Sequence, residues 1–76
     1  MSRKEVIKMG EGVNYTVIAE VPMSIGKASV SIRGRRYELL RTYFNRGVQH
    51  FVGAAFGTGE RIDFSVKGKN ALIYAH

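Results

Sequence analysis

The chain has 76 residues, 12 Lys and Arg against 6 Asp and Glu for a net charge of +6, and neither Cys nor Trp. That length points to one domain over residues 1–76 with a thin core, since such a chain buries only about 60% of its unfolded surface. Without Cys, neither a disulfide nor a thiolate metal site can reinforce it, and 2 His leave little material for a catalytic constellation.

Residues Met1-Ser2-Arg3-Lys4-Glu5 are charged, and no long apolar stretch follows, which argues against a secretory signal. No run approaches the ~18 apolar residues of a membrane span. A cytoplasmic protein is therefore the expectation. Residues 6–9 read as a short strand closed by the turn Gly10-Glu11-Gly12. Residues 14–21 read as a second strand, with Tyr15, Val17 and Ala19 on one face and Thr16, Ile18 and Glu20 on the other. Pro22 should end it or confine it to an edge. Residues 27–33 alternate, with Ala28, Val30 and Ile32 toward a core and Lys27, Ser29, Ser31 and Arg33 toward water.

Residues 35–46 carry two readings. Tyr37, Leu40, Phe44 and Val48 recur at helical spacing, with Gly34 able to start a helix and Gly47 able to follow its end. The competitor is a hairpin, turning at Gly34-Arg35 and returning as a strand from Tyr37 to Phe44. The short helix is preferred. Residues 48–56 then read as a strand with Gly53 inside it, where Gly marks a bulge or a close backbone approach. Gly57-Thr58-Gly59 is a turn. Residues 61–66 alternate, with Ile62, Phe64 and Val66 inward and Arg61, Asp63 and Ser65 outward, which makes Asp63 a cross-strand ion-pair partner on the surface. Lys67-Gly68-Lys69-Asn70 links that strand to residues 71–75 as a hairpin with a basic tip.

These segments predict a mainly β fold, a small antiparallel barrel or sandwich of five or six strands, with one short helix at 35–46. With the helix included, the element order is that of the OB-fold. One sheet of this size cannot bury both faces, so closure into a barrel or pairing with a neighbour is required. The strand over 48–56 is apolar and almost uncharged, a poor exposed edge, which points to a homo-oligomer covering it.

The charge is concentrated. Residues 27–46 hold Lys27, Arg33, Arg35, Arg36, Arg41 and Arg46 against Glu38, a balance of +5. Arg offers a planar fork that suits phosphate and stacks on bases. Tyr37 and Tyr43 interleave with these cations, and a single-stranded nucleic acid needs cations for phosphates and flat rings for bases. The Gly-rich turns lack the Gly-Lys-Ser/Thr end of a phosphate loop. His50 lies where Asp63 or Glu60 could meet it, but no nucleophile or second ligand stands at a useful spacing.

Two blocks resemble a known family. Val6-Ile7-Lys8 followed by Glu11-Gly12-Val13-Asn14 is similar to the first two strands of the tryptophan RNA-binding attenuation protein family, small ring-forming all-β proteins. Ala54-Ala55-Phe56, Phe64-Ser65-Val66-Lys67-Gly68 and Ala71-Leu72-Ile73 resemble its last three strands. The resemblance implies an oligomeric, nucleic-acid-binding β subunit. Of the three basic RNA-reading positions of that family, one falls on Lys67, one on the uncharged Ser65 and one near Tyr43, close to Arg46. The Gln and Thr that hold tryptophan correspond to Ala55 and Gly57, so no tryptophan site is expected, and the Arg-rich middle has no counterpart.

The combined expectation is a non-enzymatic protein that binds single-stranded RNA or DNA. Arg33, Arg35, Arg36, Arg41, Arg46, Lys67 and Lys69 would contact phosphates, and Tyr43 would stack a base. No cofactor, metal, membrane or small-molecule ligand is expected. The alternative is a structural subunit of a homo-oligomer that binds an acidic protein partner.

Overall fold

Alternating apolar residues between tight turns fold here into six antiparallel strands. The computed structural model describes residues 14–75. The strands are β1 (Val17–Ile25), β2 (Ser29–Ile32), β3 (Arg35–Asn45), β4 (Val48–Ala55), β5 (Arg61–Lys67) and β6 (Asn70–Tyr74). Each pairs with the next, and β6 pairs back onto β1 to close a barrel. This meander is simpler than the Greek-key order of an OB-fold. The strand and turn expected over residues 6–12 lie outside the described residues.

Residues 35–46 are strand and turn rather than the preferred helix. Tyr37 pairs with Ala55 and Leu39 with Gly53, but Arg41 pairs with Val52, so Leu40 is an extra residue bulged from β3. A bulge shifts the two-residue alternation by one position. Tyr37 and Phe44, seven apart, thereby fall on one face of the strand, which imitates a helical spacing. The flanking hairpins turn at Arg33-Gly34 (φ 55° and 75°) and at Arg46-Gly47 (φ 55° and 78°). Two successive positive φ values make a turn whose twist matches that of the strands it joins. The first turn thus falls one residue before the sequence-based expectation.

Pro22 does not end its strand. Val17–Pro22 pairs with β6, and Met23–Ile25 pairs with β2, so β1 changes neighbour just after Pro22. Pro has no N–H to offer a ladder, and it stands where the ladder is handed over. A second irregularity near Ile18 separates Val17, opposite Tyr74, from Ala19, opposite Ile73. The expected common face of Tyr15, Val17 and Ala19 is therefore broken.

The interior is filled by Val30, Ile32, Tyr37, Ala55, Ile62, Phe64 and Ala71. Val30 and Phe64 are each only 1% exposed, and complete burial of such a side chain contributes about 1.5–3 kcal/mol. The Phe51 and Phe64 rings stack at 5.4 Å across β4 and β5. Gly53 is there because the backbone comes close: a Cβ at this position would lie 3.2 Å from both the Glu38 carbonyl oxygen and Tyr37 Cβ.

Candidate nucleic-acid interface

The meander brings the start of β3, the end of β4 and the start of β5 to one end of the barrel. Three of the expected contacts, Arg33, Arg35 and Arg36, meet there. They are joined by Arg61 and Phe56, which the sequence reading left out. Phe56 is 54% exposed, and the Arg36 guanidinium lies over its ring, 5.0 Å from the centroid. Arg35 donates to Glu60 Oε1 at 2.6 Å. Hydrogen bonding to Tyr37, then to Glu60, holds its guanidinium above its ordinary value. The signal that could have found Phe56 and Arg61 was in the turn pattern: in a meander, the 57–60 turn must lie at the same end as Arg33-Gly34.

The remaining expected contacts are elsewhere. Arg46, in the β3–β4 turn, donates to Asn14 Oδ1. Lys67 and Lys69 flank Gly68 in the β5–β6 turn, at the opposite end of β5 from Arg61. Lys67 Nζ lies 3.7 Å from Glu20 Oε1. Arg41 packs over the Tyr43 ring at 5.3 Å.

Tyr43 is not an open platform. Its ring stacks on His50 at 5.0 Å, and its hydroxyl donates to Asp63 Oδ2. Asp63 and Ser65 do face away from the barrel interior, but they are buried instead of solvated. His50, 2% exposed, donates from Nδ1 to Asp63 Oδ1 at 2.8 Å, so the partner of Asp63 is His50 rather than a surface cation. Tyr15 and Tyr74 complete this layer, with ring centroids 4.9 Å and 4.5 Å from His50. Ser65 Oγ and the Tyr74 hydroxyl share a hydrogen bond of 2.7 Å. This cluster is a second core, outside the barrel, built from rings and satisfied polar groups. Ser65, one position onto which the family resemblance maps an RNA contact, lies within it, whereas Lys67 is exposed.

Among the described residues, no group of His, Asp and Glu is arranged to hold a metal ion. Among the described residues, no helix is long and apolar enough to cross a membrane. Comparison with family models, curated proteins and solved structures returns no match.

Proposed function

We propose that this protein is a non-enzymatic binder of single-stranded RNA or DNA, and that the interface is the barrel end bearing Arg33, Arg35, Arg36, Arg61 and Phe56. The observation that carries this reading is the grouping itself: four guanidiniums and an exposed aromatic ring against two carboxylates, Glu60 on Arg35 and Glu38 in the cross-strand row of Arg61. Guanidiniums answer phosphates and stack on bases, and a ring with an open face accepts any base. Arg41, Arg46, Lys67 and Lys69 extend a positive surface that guides a strand toward that end. The test is a gel-shift panel with single- and double-stranded RNA and DNA. Retardation of single strands in preference to duplexes is expected, and no retardation of any nucleic acid removes the proposal.

A second reading, self-assembly, draws on a different surface. β2 pairs with β3 only from Arg35 to Glu38, and among the described residues no strand pairs with that edge of β3 beyond Leu39. Phe44, 70% exposed, and the exposed Leu40 and Val48 lie along this stretch of the β3–β4 hairpin. A second copy covering that stretch would bury them. The strand first expected to need covering, β4, is instead flanked by β3 on one side and β5 on the other.

A further inference from the structure

The basic end of the barrel is concave. A groove of about 510 Å³ opens there between the first residues of β1, the β2–β3 turn, the start of β5 and the end of β6. That size falls within the range of small-ligand sites. Its apolar lining is the buried Ile32 and Ile62 and the half-buried Ile73, with the exposed Ile18 beside them. Its rim is charged: Arg33, Arg35 and Arg61 against Glu60.

The rim is not electrically balanced. Arg35 is held by Glu60 and by Tyr37. Among the described residues, Arg33 and Arg61 make no ion pair. Two uncompensated guanidiniums over an apolar pit call for a ligand with a flat apolar body and an attached anion. Tyr37 and Tyr74 also line the groove. Tyr74 keeps its hydroxyl on Ser65 and its ring on His50, so the Tyr37 ring and the Arg35–Glu60 pair are what the groove offers beside its isoleucines. The planar guanidiniums of Arg33 and Arg61 favour a flat base carrying a phosphate over an alkyl chain, because a guanidinium both pairs with phosphate and stacks on a base. Beyond the lining, Val30 and Phe64 fill the barrel, so a ligand enters and leaves by the same opening.

We propose that this groove is the subsite for one nucleotide turned out from the bound strand, with its base against the isoleucines and Tyr37 and its phosphate between Arg33 and Arg61. The inference rests on the nucleic-acid reading and adds to it a specific pocket. The test is a titration of the isotope-labelled protein with nucleoside 5′-monophosphates, followed through the methyl signals of Ile18, Ile32, Ile62 and Ile73. Shifts at these methyls are expected, with binding about tenfold or more weaker for the nucleoside lacking its phosphate. The double variant Arg33→Asn, Arg61→Ser should lose a similar factor while keeping a native spectrum, because Asn tolerates the positive φ at position 33. Octanoate is the control, and a shift of the same methyls by octanoate but not by nucleotides overturns the proposal. If nucleotides leave the methyls unmoved while a long single strand still binds, the pocket assignment fails and the interface stands. If neither binds, both fail.

Discussion

The Tyr43 phenol shows how one side chain can be withdrawn from a surface role. It lies among Arg41, His50 and Tyr15 and donates to a buried carboxylate. Burial first, then the hydrogen bonds to Asp63 and Tyr15, hold its ionisation well above the ordinary value of 10.0. The unfolded chain therefore ionises this phenol first as pH rises. The stability carried by the protonated form is complete below pH 10 and drains away above it, toward the raised value. In an alkaline absorbance titration, one phenol should ionise only as the protein unfolds, and Tyr43→Phe should remove that late step. Tyr43→Phe should also cost about 1–3 kcal/mol in denaturant unfolding, because Asp63 loses a donor in a buried setting. Its effect on strand binding, measured on the folded fraction, should be negligible. Phe56→Ala should show the reverse, with unchanged stability and a loss of about 1–3 kcal/mol in single-strand affinity. Sequence alone named Tyr43 because it stands among arginines. It could not show that His50 and Asp63, 7 and 20 residues away, would claim its ring and hydroxyl.

Strands and hairpins were largely legible, and the failures share a cause. The alternation of residues 29–32 and 61–65 and the basic β5–β6 hairpin survive in the structure because nothing interrupts their two-residue period, but Val66, expected inward, is exposed at the end of its strand. At Leu40 and near Ile18 an irregularity does interrupt it, and there the assigned faces or the element type went wrong. Turn chemistry compounded the error. Arg33-Gly34 and Arg46-Gly47 carry an Arg where Asn or Asp would have announced the turn, so Gly47 passed for a helix end. Asp63 and Ser65 faced away from the barrel as expected, but a second layer of rings covers that side, and periodicity does not report a second layer. Gly53, which reads as a bulge or a close approach, is a close approach, opposite Leu39 and next to the bulge at Leu40. Gly53→Ala should destabilise by about 1–3 kcal/mol, because the added methyl meets the Glu38 carbonyl and Tyr37 Cβ rather than a flexible side-chain end. An unfolding midpoint equal to that of the native chain would show that β3 and β4 have room to separate.

For the whole molecule, the +5 balance over residues 27–46 was readable at once, but its distribution was not. Closing the meander puts Arg33, Arg35 and Arg36 with Arg61 at one end and Lys27 and Arg46 at the other, and leaves Arg41 between them. Assembly is a property of this scale too. Light scattering coupled to size exclusion should give a multiple of 8.5 kDa for the native chain, and Phe44→Lys should reduce it to 8.5 kDa. A native particle of 8.5 kDa would remove the assembly reading and leave the interface untouched. In the proposed complex, clustered guanidiniums at one barrel end hold the phosphates of a single strand. The most direct test is the salt dependence of oligonucleotide affinity, native protein against the double variant Arg36→Ala, Arg61→Ala. Three or four neutralised phosphates on a single strand predict a log–log slope of about −2 to −3, and removing two contacts should bring it close to −1. A native affinity that is flat with salt, or a slope that the variant leaves unchanged, would contradict the account.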